Sequence, residues 1–213
     1  MLDETTLVVF GAGGHAKVVI DAAEKQGYRH ILVADDAEAL WGKSLMDYAI
    51  LGGRTALRAL GFRSHAIAAI GSNAARGHVA DWLAAQGFVP ASVIHPSAQI
   101  GRGARIGAGS LLVAGSIINS DAVLGANVIV NTGATVDHDC LVGDNVHIAP
   151  GVHLCGEVAV GSGTLLGVGA VVVPGVRIGT GCVIGAGATV IRDVPDGARI
   201  AGTPARTIGQ GRD

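Results

Sequence analysis

The sequence predicts two folds in series: a small α/β domain with a parallel sheet over residues 1–93, then a parallel β-helix of hexapeptide repeats over 94–213 that ends in a C-terminal tail. Three observations carry this reading. From Ile94 to Val190 every sixth residue is Ile, Leu or Val, and the phase never slips. A second register runs four residues behind, from Ala98 to Val194, and holds only small or β-branched residues. Before residue 94, short apolar runs alternate with helical patterns, as in a parallel α/β sheet. If aliphatics filled roughly a third of positions at random, seventeen in phase would have odds on the order of one in 10⁸. A fixed six-residue period marks a β-helix whose short strands each turn one large and one small side chain inward.

Leu7–Phe10 is the first apolar run and ends in Gly11-Ala12-Gly13-Gly14-His15-Ala16. Val18, Val19, Ala22 and Ala23 then predict a helix to about Lys25. Ile31–Ala34 reads as a strand ending at Asp35 and Asp36, and Ala66–Ile70 as another ending at Gly71-Ser72-Asn73. Ala74–Gln86 reads as a helix that stops at Gly87. Ligands of such sheets sit beyond the carboxyl ends of the strands, which here carry three polar or glycine-rich tips and so predict a pocket. Gly11-x-Gly13-x-x-Ala16, with Asp35 about twenty residues on, approaches the dinucleotide fingerprint. The domain has room for only about four strands, not two mononucleotide halves. A loop that opens a helix also cradles the phosphates of a nucleotide-sugar, and that reading is favoured over nicotinamide or an unliganded turn.

His95-Pro96 enforces an extended segment that hands the chain into the first coil. Three hexapeptides close a coil, so residues eighteen apart stack at about 4.8 Å, and nearly six coils make a rod of roughly 27 Å. Glycines directly after the aliphatic (Gly101, Gly107, Gly125, Gly143, Gly161, Gly167, Gly179 and Gly185) are expected to supply the backbone angles of the corners. Polar residues are sparse in the coils, apart from the stretch Asn131–Cys140. Val136 and Cys140 are inward, so Asp137, His138 and Asp139 face out at a corner. His138 beside Asp139 suits a general base oriented and made more basic by a carboxylate. One coil on, the bare amide of Gly156 would stack over His138 and could meet an oxyanion. His147 takes another outward position. Zinc held by His138, His147 and His153, as in trimeric β-helix carbonic anhydrases, is the metal alternative. The spacing is unlike that family's and leaves the glycine loop unexplained, so no metal is expected.

Aromatics make up 3% of the 213 residues and hydrophobics 49%, as narrow coils filled by Val, Ile, Leu and Ala require. The net charge of −2 with no basic run argues against nucleic acid. Cys140 and Cys182 fall in the inward register, so buried thiols are expected there rather than disulfides, with Cys155 beside them. No cationic segment with an apolar core opens the chain and no apolar run approaches 18 residues. A soluble, cytoplasmic protein without a membrane partner is expected.

The repeats, with the ending Ala201-Gly202-Thr203-Pro204-Ala205-Arg206, resemble the left-handed β-helix acyltransferases. Left-handedness is what the resemblance implies, since crossover rules alone favour the right hand. Adding Gly11–His15, Ala34-Asp35-Asp36, Ile70-Gly71 and Asn131–Asp139, nearly the whole chain resembles bacterial nucleotide-sugar N-acetyltransferases of the sialic acid O-acetyltransferase-like, PglD-like group. The resemblance implies acetyl transfer from acetyl-CoA to the amine of a nucleotide-linked amino sugar, best a GDP- or UDP-4-amino-4,6-dideoxyhexose of a perosamine or bacillosamine type of polysaccharide pathway. It makes His138 the base, with Asp139 where the family often has Glu. Asn131 would place the amino sugar or the histidine, and Gly156 would give the oxyanion amide. His147, Gly156, Val168 and Ala186 would contact acetyl-CoA. Gly13, Gly14, His15, Asp35, Asp36 and Gly71 would bind the nucleotide-sugar, while Ala74 stands where a relative has a charged substrate contact. A homotrimer is implied, and flat faces carrying Leu111, Val113 and Ile129 are expected to meet the neighbours. The competing functions are a sialic acid or other sugar O-acetyltransferase, and a non-catalytic nucleotide-sugar binding protein.

Overall fold

A computed structural model describes residues 3–60 and 64–208; residues 209–213 of the expected tail lie outside them. The chain forms two compact units, Met1–Pro96 with Ala108–Ser110, and Ser97–Gly107 with Leu111–Asp213.

The first unit runs β1 (Asp3–Phe10), α1 (Gly14–Gln26), β2 (His30–Ala34), β3 (Ser44–Leu45), β4 (Tyr48–Ala49), α2 (Arg54–Ala59), β5 (Ser64–Ala68), α3 (Asn73–Ala85) and β6 (Val89–Pro90). Its four-stranded sheet has the order β2-β1-β5-β6 and is parallel throughout. β1 sits in the middle, and Leu7, Val8 and Val9 are fully buried in succession, the continuous apolar run of a strand covered on both faces. Helix α1 buries Ala16, Val19, Ile20, Ala22 and Ala23, a helical spacing. It stops at Gly27, whose left-handed backbone donates to the carbonyls of Ala23 and Glu24. One core cluster joins Val8, Phe10 and Ala34 of the sheet to Leu57 of α2 and to Val79 and Leu83 of α3. The β3–β4 hairpin and α2 carry no periodic signal in the sequence. Each hairpin strand is two residues long, too short for any period, and its turn rests on positive φ at Met46 and Asp47.

In the second unit the six-residue period becomes three stacked sheets of two-residue strands. Leu111–Leu112, Ile129–Val130, His147–Ile148, Leu165–Leu166 and Val183–Ile184 form the first face. Ile117–Ile118, Thr135–Val136, His153–Leu154 and Val171–Val172 lie on the second, and Val123–Leu124, Leu141–Val142, Ala159–Val160 and Arg177–Ile178 on the third. Pairing is parallel with a strict offset of 18, as in Ile117↔Thr135↔His153. The last turn is two residues shorter, pairing Val183 with Arg199. From Leu112 to Val190 every aliphatic of the repeat is buried, as is the small register from Ser110 to Val194. Ile100 of the first coil is exposed.

The glycines after the aliphatics do a different job from the one expected. Their φ is not positive; a Cβ on Gly107 would lie 2.3 Å from the carbonyl of Gly125, and one on Gly161 2.5 Å from the amide of Thr180. They are bare because the next coil's backbone passes over them. The left-handed corner residue stands three positions after the aliphatic instead, at every sixth residue from 103 to 187. Gly107→Ala is therefore expected to destabilise the coils by about 1–3 kcal/mol through overpacking, read as a lower thermal midpoint with the N-terminal unit still folded by native-state proteolysis.

Cys140, Cys155 and Cys182 are free, and Cys140 and Cys182 are buried. Burial pushes the Cys140 thiol up to about 11, and its Sγ donates to the Cys155 carbonyl at 3.1 Å. Among the described residues no helix is long and apolar enough to cross a membrane.

Candidate active site

The corner between the second and third faces holds His138. Its Nδ1 lies 2.8 Å from Oδ2 of Asp139, and both side chains are more than half exposed. Asp139 occupies the left-handed corner position with φ 58°, a conformation that a short carboxylate tolerates. From there it reaches back to the preceding imidazole. An Nδ1–H donated to this carboxylate leaves Nε2 as the ring's proton acceptor. The Asp139 hydrogen bond, helped by the charges of Asp137 and Glu157, raises the His138 pKa above the ordinary histidine value. Gly156 sits one coil above: a Cβ on it would fall 2.5 Å from both Cε1 and Nε2. The imidazole thus packs on a bare backbone, as the eighteen-residue offset predicted.

Asn131 and His147 belong to a different edge. Asn131 follows the first-face strand Ile129–Val130, and its Nδ2 approaches Nε2 of His147 at 3.3 Å. Thr132, Pro150, Val168 and Ala186 stack along this edge, one per coil. Backbone bonds tie them in sequence: Gly151 N–H to Thr132 O, Gly169 N–H to Pro150 O and Gly187 N–H to Val168 O. Val168 is 56% exposed, so the edge presents small, mostly apolar groups to solvent along its length. Hence Asn131, Val168 and Ala186 share the edge between the first and second faces, with His147 reaching Asn131 from its first-face strand, and His138, Asp139 and Gly156 share that between the second and third. Within one chain Asn131 partners His147 rather than His138.

The three histidines of the metal alternative are dispersed. His138 pairs with Asp139, His147 with Asn131, and His153 with Thr135 Oγ1 at 2.9 Å. Among the described residues no group of three His, Cys, Asp or Glu could hold a metal ion.

In the first unit the parallel sheet brings Gly11–His15, Asp35–Asp36 and Gly71–Asn73 to one edge, at the ends of β1, β2 and β5. Gly11 has φ 119°, and a Cβ there would lie 2.7 Å from the Ala69 carbonyl, so only glycine fits. Gly13 caps α1 and Gly14 begins it, with His15 in the first turn; the amides at this end are the ones an anion would meet. Asp35 spends its carboxylate on architecture: Oδ2 accepts the Ala12 N–H at 2.7 Å and Oδ1 the Ala37 N–H at 2.8 Å. Asp36 Oδ1 accepts the Arg54 N–H at 3.2 Å, at the start of α2. The pair ties the glycine loop to the segments after β2.

Two further residues, Arg76 and Asn119, shape these sites. Arg76 is only 1% exposed, with Nη1 donating to the carbonyls of Ile70 and Gly71 and Nη2 to Asn73 Oδ1. Burial draws its pKa down to about 10. It pins the Gly71 loop from beneath, and its spacing to Val79 and Leu83 on the buried side of α3 was the available signal. Asn119, eighteen residues before Asp137, donates to Asp137 Oδ1 at 2.8 Å, and the same oxygen accepts the His138 N–H at 2.8 Å. These bonds, the backbone one foremost, hold the Asp137 carboxyl below the usual range.

The PglD N-terminal domain family matches residues 6–83. The six-repeat bacterial transferase hexapeptide pattern matches residues 121–156 and 157–192, and the hexapeptide repeat of succinyl-transferase residues 97–132. No curated protein sequence matches significantly. Among solved structures, the acetyltransferase domain of PglB from Neisseria gonorrhoeae FA1090 in complex with acetyl coenzyme A is 38% identical, with a TM-score of 0.92, over 97% of this chain and 100% of that one. PerB from Caulobacter crescentus, in complex with CoA and GDP-perosamine, is 38% identical with a TM-score of 0.91, over 96% and 97% of the two chains. WeeI from Acinetobacter baumannii AYE is 25% identical with a TM-score of 0.79, over 98% and 100%. The second unit accordingly has the left-handed β-helix of these acetyltransferases, and the chain belongs to the hexapeptide-repeat acetyltransferases that carry a PglD N-terminal domain.

Proposed function

We propose that this chain transfers an acetyl group from acetyl-CoA to the amino group of a nucleotide-linked amino sugar, a GDP- or UDP-4-amino-4,6-dideoxyhexose. The observation that carries the reading is the His138 imidazole, oriented by Asp139 and packed on the bare backbone of Gly156. The acceptor nitrogen attacks the thioester carbonyl carbon as Nε2 of His138 removes its proton. The N–C bond forms, and the carbonyl oxygen becomes an oxyanion within reach of the Gly156 amide. On collapse the C–S bond breaks, and the CoA thiolate leaves and takes up the proton that His138 held. The relative crystallised with acetyl coenzyme A supports the donor, and the one crystallised with CoA and GDP-perosamine supports a nucleotide-linked acceptor and favours GDP.

The labour divides between the units. Gly13, Gly14, His15, Asp35, Asp36 and Gly71 serve the nucleotide-sugar, with Asp35 acting by holding the glycine loop. His147, Val168 and Ala186 line a narrow edge that suits a linear pantetheine arm. In a single chain this edge and the His138 edge are different corners of the coil. A homotrimer, in which one subunit's cofactor edge faces another's catalytic edge, completes the site. The surface it buries is not the one expected from sequence: Leu111, Val113 and Ile129 are 2%, 4% and 1% exposed in the single chain. They are already covered and have no area left for a neighbour. Leu141, 57% exposed on the third face between Val123 and Ala159, offers the apolar surface instead. A cytoplasmic enzyme of polysaccharide biosynthesis fits the nucleotide-linked substrate.

Incubation with acetyl-CoA and a panel of GDP- and UDP-amino sugars is expected to release free CoA and add 42 mass units to one sugar, the arithmetic of replacing an amine hydrogen by acetyl. Turnover with sialic acid and with no amino sugar would move the assignment to O-acetylation. Tight nucleotide-sugar binding without acetyl-CoA affinity would make the chain a sensor. Sedimentation at micromolar concentration is expected to give a trimer, and a monomer would refute the shared site.

A further inference from the structure

The residue after Gly156 departs from the rule of the corners. At every sixth position from 103 to 187 the backbone is left-handed, and the occupant is Gly, Asp or Asn in each case but one: Glu157, with φ 63°. Glycine takes this conformation without strain, and Asp or Asn offsets it by local hydrogen bonding. Glutamate has neither advantage, and an unfavourable conformation retained beside reacting groups points to a use.

Its placement supplies one. Glu157 stands one coil above Asp139 and directly follows the glycine on which the imidazole rests. Its N–H donates to the His138 carbonyl at 3.0 Å, so the two residues form one backbone unit. The side chain is exposed. Three carboxylates belong to the surroundings of His138: Asp139 through its hydrogen bond to Nδ1, Asp137 through its bond to the His138 N–H, and Glu157, whose backbone directly follows the glycine under the ring and whose charge is the smallest of the contributions that raise the His138 pKa. Asp139 and Asp137 are each occupied in holding the corner's geometry.

Resting on the acetyl-transfer reading above, we propose that Glu157 is a positioning residue for His138: it keeps a further negative charge beside the ring, so that the proton lifted from the acceptor amine stays on the imidazole until the thiolate leaves.

The test titrates labelled histidine by NMR in the assembled protein and follows kcat against pH, for the wild type and Glu157→Gln, Glu157→Asp and Glu157→Asn. Glu157→Gln is expected to lower the His138 pKa by about 0.3–0.5 unit at low ionic strength, a gap that closes toward 1 M salt. Because a less basic imidazole loses its proton sooner, the acid limb of kcat should move to lower pH. The plateau should fall about 1.5–3-fold with both KM values unchanged. Glu157→Asp should keep the wild-type titration. Glu157→Asn, better suited to the corner, should raise the melting temperature by about 2–4 °C and still lose rate. Glu157→Gln and Glu157→Asn enzymes with wild-type His138 titration and wild-type kcat would overturn the proposal, leaving Glu157 a corner residue only. A wild type that transfers no acetyl group, with the His138 titration still shifted in Glu157→Gln, would instead sink the acetyl-transfer reading and keep the coupling.

Discussion

His138→Ala is expected to lower kcat by about 10²–10⁴-fold while nucleotide-sugar affinity, measured by calorimetry, stays within about twofold of wild type. The separation follows from the fold: the imidazole projects from a coil corner and supports no core, with its side chain 56% exposed. Removing it deletes the proton acceptor and leaves the glycine loop of the first unit untouched. An amine that sheds its proton to water before binding is already nucleophilic, and the base then acts late, as the intermediate collapses. Asp139→Asn tests the same chemistry more gently. It keeps an acceptor for Nδ1 but removes the charge that contributes to the raised His138 pKa, so the acid limb of the profile should shift to lower pH and kcat should fall less than in His138→Ala. A His138→Ala enzyme with nearly full kcat would eliminate the general-base role and leave positioning and the Gly156 amide as the sources of rate.

Gly156→Ala should cost about 10²-fold or more in kcat, although it adds one methyl group. That methyl would sit 2.5 Å from Cε1 and Nε2 of His138, well inside van der Waals contact. The ring has to swing away, and a displacement of about 1 Å at a reacting group is enough for a loss of this size. The exposed ring can move without disturbing the coil interior, so the melting temperature should change far less than in Gly107→Ala, where the obstacle is backbone. Equal loss of stability in the two variants would contradict this distinction. Normal kcat in Gly156→Ala would show that the imidazole does not work from the position in which it rests on the glycine.

The coils were legible because one rule of spacing governs them. A six-residue period sets three faces, and a stack of eighteen sets which residues meet, so the meeting of Gly156 with His138 followed from subtraction. Subtraction could not say which glycines bend the chain and which make way for it, since that depends on backbone angles and on what passes overhead. Gly107 and Gly109 look alike in sequence and serve opposite needs. The first unit was legible in its strands and helices, whose buried faces repeat. It was not legible in β3, β4 and α2, where Leu45, Ile50 and Leu57 are the buried hydrophobics and follow no period. Arg76 was missed because an arginine on the apolar side of a helix is expected to reach solvent, whereas this one turns inward to the carbonyls of a loop. Leu111 and Ile129 were misassigned because a two-residue strand tells which side chain points outward, not whether outward means exposed.

The eighteen-residue stacking also restricts how this chain can change length. Inserting or deleting whole coils preserves the face on which every later side chain emerges. Loss of a single hexapeptide would turn everything beyond it by one face, about a third of a turn. Deleting six residues between His147 and Val168 would carry Val168 and Ala186 off the edge they share with Asn131, with each inward pattern still satisfied and the coils still able to close. Such a chain would keep its fold and lose its alignment. Length variation in proteins built this way is therefore expected in steps of whole coils or in excursions at the corners, and a frame of six, tolerable to the core, is intolerable to the edges.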